Sequence, residues 1–146
     1  MLSSSQRLVL SLSDEGDGTV MVQVEVASGE FAGRGEACFD LEEFRGFALE
    51  LEAFSTSLVG SPFISGGYWK DDNLETLLLS LQASCIDTLG HIMIRVEAAE
   101  VVSLGSEERL SQRVIAFLRT EPQSLSTFAR RLQSLARLEC DHAELP

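Results

Sequence analysis

Apolar residues recur at every second position in several segments of the chain, and this alternation predicts strands that each bury one face. The clearest example is a hairpin around a tight turn at residues 87–90, whose predicted buried positions are Leu77, Leu79, Leu81, Ala83, Ile92, Ile94, Val96 and Ala98. Further strands are predicted at residues 6–13, 19–28, 31–39 and 109–120. Gly33 and Gly35 predict a bulge or a sheet edge in the third of these.

Two other segments repeat their apolar residues at steps of three and four, which predicts amphipathic helices. The first follows Asp40 and Glu43, which have the spacing of a capping box, and it ends near residues 55–57. The second opens at Pro122, because proline is tolerated in a first helical turn. The predicted apolar stripes are Leu41, Phe44, Phe47, Ala48, Leu51 and Phe54 in one helix and Leu125, Phe128, Leu132, Leu135 and Ala136 in the other.

The order of these elements predicts the fold class. Strands with one buried face and helices with one apolar stripe are satisfied together in an α+β domain, with two helices covering a mostly antiparallel sheet. We therefore expect a single domain over residues 1–146 with about six strands in the order βββ-α-βββ-α. A curled sheet or a sandwich remains an alternative arrangement. Residues 139–146 are expected to form a flexible acidic tail.

Charge narrows the classes of partner. Eleven basic and twenty-three acidic residues give a net charge of −12. This charge disfavours direct binding to nucleic acid, which is itself a polyanion. It either maintains solubility or steers the protein toward a basic partner. No apolar run is long enough to span a bilayer and the first residues lack the pattern of a secretory signal, so we expect a cytoplasmic protein that does not enter membranes.

The sequence offers little catalytic chemistry. Only two histidines are present, and His91 is interpreted as a turn residue rather than as a general base. The tail carries Cys140, Asp141, His142 and Glu144, but ligands in a flexible tail are not fixed as a zinc site requires. Cys38, Cys85 and Cys140 share no short spacing, which indicates neither a disulfide framework nor a zinc knuckle, and Cys38 and Cys85 are expected to be reduced core residues. We therefore predict no catalytic residue, no metal ligand and no cofactor.

The most distinctive local segment follows a predicted loop at Gly66 and Gly67, where Tyr68 and Trp69 precede Lys70, Asp71 and Asp72. The two rings are interpreted as closing one end of the core, with the charged residues in a solvated turn. The alternative is an aromatic anchor for a partner, since aromatic side chains dominate such contacts. On that alternative, the candidate partner-binding residues are Glu42, Glu43, Glu50, Glu52, Tyr68, Trp69, Asp71 and Asp72.

Several segments also occur together in a known arrangement. These are F-x-G-x-x-E-x-x-F-D-L-E-E-F at 31–44, G-G-Y-W at 66–69 before an L-x-L-x-L strand, and G-H-I-x-I-x-V at 90–96, followed by a closing amphipathic helix. Over residues 19–138 this arrangement resembles the WapI-like bacterial immunity proteins and related uncharacterised bacterial domains. The resemblance implies a protein without catalytic residues that binds and neutralises a toxin encoded beside it.

The expected function is therefore non-enzymatic binding of a cognate polymorphic toxin, for which a basic nuclease would suit the acidic charge. Two other classes of function stay open. One is a small-molecule-binding or enzymatic domain with a pocket between sheet and helices, and the other is a structural or assembly subunit. The oligomeric state is not predicted.

Overall fold

A computed structural model of the chain describes residues 5–103 and 109–146. In this part of the chain there are two helices and eight strands. The helices are α1 (Leu41–Ser57) and α2 (Pro122–Ala136). The strands are β1 (Gln6–Asp14), β2 (Thr19–Ser28), β3 (Phe31–Asp40), β4 (Phe63–Lys70), β5 (Asn73–Cys85), β6 (Ile92–Ser103), β7 (Arg109–Thr120) and β8 (His142–Glu144).

The strands form two antiparallel sheets of four. The first sheet has the order β3-β2-β1-β8, and the second has the order β4-β5-β6-β7. Each sheet turns alternate residues inward, such as Val20, Val22 and Val24 from β2 and Ile92, Ile94 and Val96 from β6. These side chains belong to one hydrophobic cluster that also includes the apolar stripes of α1 and α2. The core therefore lies between the sheets and the helix pair.

These observations confirm the predicted α+β class, its two helices and its antiparallel pairing. The prediction of about six strands in the order βββ-α-βββ-α is wrong, since the described order is βββ-α-ββββ-α-β in two separate sheets. Alternation identifies the buried face of a strand but not its neighbours, so one sheet and two sheets leave the same pattern. The two strands that were not predicted are β4 and β8.

β4 was not predicted because Gly66 and Gly67 were interpreted as a loop. In the structure both glycines lie within the strand, and its register against β5 shifts between them. A Cβ on Gly66 would lie 2.7 Å from the ring of Phe39 in β3. Glycine is therefore present there so that an aromatic ring can pack against the backbone, and not to form a turn.

β8 lies in the segment that was predicted to be a flexible tail. Its three residues pair with β1, where Leu10 opposes Ala143. The Ala143 side chain is buried, and the Leu145 N–H donates to the carbonyl of Leu8 at 3.0 Å. A single small buried residue between exposed neighbours is too short a pattern to predict a strand.

Both helices begin where the sequence predicts, but the capping box at the start of α1 does not form. Asp40 is the N-cap residue of α1 and makes no side-chain capping hydrogen bond. It is still the last ladder residue of β3, opposite Thr19, and the Leu41 N–H donates to the carbonyl of Gly18 at 3.0 Å. The sheet thus fixes the backbone at this junction and takes over the first amide of the helix. No helix of the described residues has the length and apolarity needed to cross a bilayer.

β3 brings the two sheets into close contact because its inward face is made of small residues. A Cβ on Gly35 would lie 2.8 Å from Cβ of Ala98 and 3.2 Å from the carbonyl oxygen of Leu78. A Cβ on Gly33 would contact Val114 in the same way. The C-terminal part of β3 thus contacts β4, its middle contacts β5 and β6, and its N-terminal part contacts β7. β3 therefore crosses all four strands of the second sheet. The predicted edge position of this strand is confirmed, and no bulge interrupts its pairing with β2.

Candidate functional site

A groove of about 840 Å³ lies between the first sheet and the part of the second sheet that contains Tyr68, Leu78 and residues 99–101. β5 and β6 pair only from Leu79 and Ala98 to Cys85 and Ile92, so the start of β5 and the end of β6 run on without pairing to each other. The edge strand β3 lies beside this split. We call the cavity the β3 groove; its lining includes Glu25, Arg34, Glu36, Cys38, Tyr68, Leu78, Ala99, Glu100 and Val101.

The backbone of β3 faces this groove with unused hydrogen-bonding groups. The two-residue turn at 29–30 makes Ser28 and Phe31 a hydrogen-bonded pair, and bonded and non-bonded pairs alternate along an antiparallel ladder. The bond from the Leu41 N–H to Gly18 fits the same alternation at the other end of the strand. The N–H and C=O groups of Arg34, Glu36 and Cys38 therefore point away from β2. Within the described residues no other backbone group is paired with them.

The charge of the groove is predominantly negative. Among the described residues, its lining carries three carboxylates, on Glu25, Glu36 and Glu100, and one guanidinium, on Arg34. Arg34 is already 3.7 Å from a carboxylate oxygen of Glu25, and Glu36 accepts a hydrogen bond from the Gln23 amide at 3.0 Å. A cationic side chain entering the groove would meet a favourable potential.

Cys38 is exposed beside these carboxylates, so its predicted position in the core is wrong. Partial desolvation raises the pKa of the Cys38 thiol, and the negative charges of Glu15, Asp17 and Glu36 raise it further. Glu15 and Asp17 lie in the β1–β2 turn, where Asp17 accepts hydrogen bonds from Thr19, and these bonds lower the pKa of Asp17. The turn therefore extends the acidic surface beyond the groove. Sequence reasoning missed this set because it joins residues from separate strands.

Alkylation of Cys38 tests this field directly. In a background of Cys85→Ser and Cys140→Ser, we expect Glu15→Gln with Asp17→Asn to speed the reaction with iodoacetamide at pH 8 by roughly twofold or more, because a lowered pKa raises the thiolate fraction. The midpoint of the rate against pH should fall in the same variant. Glu139→Gln is the control, since that residue pairs with Arg137 in the segment between α2 and β8, and β8 is the edge of the first sheet opposite β3. Equal midpoints in all three proteins would show that the acidic turn does not act on Cys38.

The four predicted acidic residues of α1 fall into two groups. Glu42 and Glu43 are exposed in the first turn, and Glu42 also pairs with Arg45. Partial desolvation against the protein surface raises the pKa of Glu43, and the charge of Asp40 raises it further. The charged form of Glu43 therefore reduces stability at neutral pH, and this cost disappears as pH falls through the raised pKa. Glu50 is exposed about two turns later, whereas Glu52 accepts from Gln133 at 3.0 Å and belongs to the contact between the helices.

Tyr68 and Trp69 do not close the core, so that interpretation is wrong. Tyr68 is 54% exposed and Trp69 is 55% exposed. The register shifts on either side of Tyr68 bend β4, and Tyr68 lines the β3 groove. Asp71 and Asp72 form the two-residue turn to β5 with positive φ angles of 52° and 66°. Two aromatic rings and two carboxylates are thus presented together on an exposed hairpin.

The only described histidine with charged neighbours on both ring nitrogens is His91. Its Nδ1 is 2.6 Å from Oδ2 of Asp87, and its Nε2 is 3.7 Å from Oε1 of Glu121. The hydrogen bond from His91 lowers the pKa of Asp87. A general base would need Nε2 to face a nucleophile, and here it faces a carboxylate. The cluster therefore joins the β5–β6 turn to the start of α2.

A buried carboxylate lies on the outer face of the second sheet. The Glu97 side chain is 8% exposed and accepts from Arg95 at 2.9 Å and from Arg113 on the neighbouring strand. Both arginines are partly exposed, so their guanidinium groups neutralise the buried carboxylate of Glu97 from the side that faces solvent. No group of three or more potential metal ligands occurs among residues 5–103 and 109–146.

Comparison of the chain with protein-family models, with curated proteins and with solved structures gave no match.

Proposed function

We propose that this chain is a cytoplasmic, non-enzymatic binding protein that neutralises a cognate toxin by presenting an acidic surface to it. The observation that carries the proposal is the β3 groove, whose three carboxylates outnumber its one guanidinium and which has the exposed Tyr68 at its rim. Aromatic anchors surrounded by charge are typical of protein-binding sites. The net charge of −12 supports a basic partner, for which a nuclease is the first candidate.

The same features suggest how inhibition would work. The long-range field of an acidic protein speeds its encounter with a basic one and fixes the orientation of approach. Aromatic side chains then supply affinity once they are desolvated against the partner. Occlusion of the basic active site of a toxin needs no chemistry from the immunity protein. Under this proposal Glu36 and Glu100 lie within the contact. The exposed carboxylates of Glu42, Glu43, Glu50, Asp71 and Asp72 are further candidates for contact with the partner.

The first experiment is recovery of the partner. The tagged chain is purified from its own host at low and at moderate salt, and proteins that accompany it are identified by mass spectrometry. We expect one stoichiometric partner of basic composition that is lost as salt rises, because the charges lie at the surface. Inhibition of that partner's activity by the purified chain completes the test. Recovery of the chain alone under both conditions would contradict the proposal.

Charge neutralisation then locates the contact. We expect Glu36→Gln with Glu100→Gln to weaken binding to the recovered partner by about tenfold, mainly through slower association, and to reduce its dependence on salt. Surface plasmon resonance at several salt concentrations measures both effects.

The matched control is Glu139→Gln with Asp141→Asn, which removes the same charge beside β8 at the opposite edge of the first sheet. It should change affinity less than twofold. Equal effects of the two variants would mean that net charge alone matters. Parallel variants of Glu42 with Glu43, and of Asp71 with Asp72, decide whether α1 or the hairpin takes part.

A small-molecule-binding function is the second candidate, and the size of the groove favours it. Ligand pockets commonly measure roughly 300–1,000 Å³, and the β3 groove lies in that range. Native mass spectrometry of the purified chain would reveal a ligand of defined mass. Such a ligand, released by Tyr68→Ala, would favour this function over toxin binding.

A further inference from the structure

In the part of the chain that the structure describes, the two sheets have four edge strands, and three of them are protected. At β7 the Gln6 side chain donates to the carbonyl of Arg119 at 3.1 Å and accepts from its N–H at 2.8 Å, while the Ser28 hydroxyl donates to the carbonyl of Phe117 at 2.9 Å. β8 has only three residues, and the carbonyl of Glu144 accepts from Arg131 at 2.8 Å. These contacts leave little room for another strand.

The remaining edges differ in regularity. β4 has two register shifts, which disrupt the even spacing of backbone groups that a new strand needs. β3 pairs with β2 through ten consecutive residues without a shift. Its outward N–H and C=O groups at Arg34, Glu36 and Cys38 are therefore in regular extended geometry, and within the described residues no backbone group occupies them.

Among the described residues, the β3 groove borders this edge and leaves space beside it, and the groove also extends over the outer face of the first sheet at Ser11, Met21 and Gln23. Gly35 has no side chain, so the inward face of β3 packs closely against Ala98 of the second sheet. The second sheet therefore supports β3 on the face opposite the outward side chains. Across the groove lie Tyr68, Leu78 and residues 99–101. An exposed, regular edge beside an open groove is the arrangement that binds an extended peptide by strand addition.

The charge of the groove selects the occupant. A strand added to β3 would place alternate side chains next to Arg34, Glu36 and Cys38 on the outer face, and opposite charges on neighbouring strands stabilise pairing. The carboxylates of Glu36 and Glu100 outnumber the one guanidinium, which already contacts Glu25. Lysine or arginine at alternate positions would complement this face.

We propose that β3 binds an extended segment of the partner protein, with lysine or arginine at alternate positions, as an added strand of the first sheet. The identity of that partner as a toxin rests on the proposed function. In strand addition, hydrogen bonds from the backbone of β3 would hold the segment, and the charged side chains would select it.

Glu36→Pro and Glu36→Ala separate backbone pairing from charge. Both variants lose the carboxylate, but only proline also lacks the outward N–H. Proline on an edge strand whose N–H faces outward leaves the ladder to β2 intact. A random library of 12-residue peptides displayed on phage is selected on the wild-type chain and counter-selected on Glu36→Pro, and fluorescence anisotropy with the synthesised peptides measures affinity.

We expect enriched peptides with alternate basic residues that bind Glu36→Pro at least about tenfold more weakly than Glu36→Ala. Circular dichroism verifies that both variants are folded. Amide exchange in the wild-type chain gives an independent readout, because the Arg34, Glu36 and Cys38 amides should become protected when peptide binds. If proline prevents folding, this protection decides the question.

Strand addition is overturned if no peptide is enriched, or if peptide affinity is equal in both variants and the three amides stay unprotected. It is also overturned if sedimentation shows a dimer of the chain that Glu36→Pro abolishes, because the occupant is then a second copy. These failures leave the proposed function standing when the host partner is still recovered by both variants. If the chain binds the selected peptides but recovers no host partner, strand addition stands, and the assignment of the bound segment to a toxin is overturned instead.

Discussion

Replacing both Arg95 and Arg113 with methionine is expected to lower the free energy of unfolding by about 3–5 kcal/mol. The reason is the position of Glu97, whose side chain is 8% exposed on the outer face of the second sheet. Without the two guanidinium groups, its carboxylate would be buried with no counter-charge, and desolvation of an unpaired charge is the most costly outcome of breaking an ion pair. Denaturant unfolding followed by circular dichroism measures the loss.

The control removes the carboxylate as well. With Arg95→Met, Glu97→Leu and Arg113→Met combined, no charge remains to be desolvated, and we expect most of the lost stability to return. Single variants at Arg95 or Arg113 should lie between the wild type and the double variant. If the triple variant is no more stable than the double variant, packing by the arginine side chains and not their charge holds this face together.

Gly35→Val is the second large effect, with an expected loss of about 3 kcal/mol or more. A Cβ at this position would lie 2.8 Å from Cβ of Ala98 and 3.2 Å from the carbonyl oxygen of Leu78. Neither atom is at the end of a flexible side chain, so β3 would have to move away from the second sheet. Thermal and denaturant unfolding should both detect the loss, and Gly35→Ala should cost about 1–3 kcal/mol.

Gly46 provides the matched comparison, because a Cβ there would meet nothing within 4 Å. It lies inside α1, where alanine is favoured over glycine by about 1 kcal/mol. Gly46→Ala should therefore stabilise the protein while Gly35→Ala destabilises it. Loss of stability at both positions would point to a general effect of the substitution instead of the contact between sheets.

The spacing of apolar residues was sufficient to predict those strands and helices in which burial follows a regular period. Alternation predicted β5 and β6 because their alternate residues from Leu79 to Ala83 and from Ile92 to Ala98 are buried in one core. The predicted burial of Leu77 is wrong, since that residue is only partly buried and Leu78 packs against the core instead. The steps of three and four predicted α1 and α2 because each helix buries one apolar stripe. Periodicity failed at Gly66, where the glycine accommodates the ring of Phe39. It also failed at β8, whose only buried residue is Ala143. The division into two sheets depends on contacts between distant strands, which a local pattern does not record.

In the candidate site, too, residues that are adjacent in the sequence were predicted, and residues that only the fold brings together were not. Glu42, Glu43, Asp71 and Asp72 were found because acidic pairs are visible in the sequence, and the structure places them at the surface. The β3 groove was missed because it brings Glu36 together with Tyr68 and Glu100, which are far apart in the chain. A signal was present in β3 itself, where small inward residues alternate with charged outward ones. That alternation marks a strand with one face against backbone and the other in solvent.

The capping of β7 by Gln6 has a consequence for the order of folding. Gln6 and Arg119 are 113 residues apart, and Arg7 meets Glu144 across 137 residues. β2 and β3 can pair locally through a short turn, but β1 gains its second neighbour only when β8 is available. Contacts over such separations require loop closure before they return any stability, which slows folding. During synthesis, β1, β2 and β3 are therefore available for pairing before residues 142–144 leave the ribosome, and β1 gains its second neighbour only afterwards.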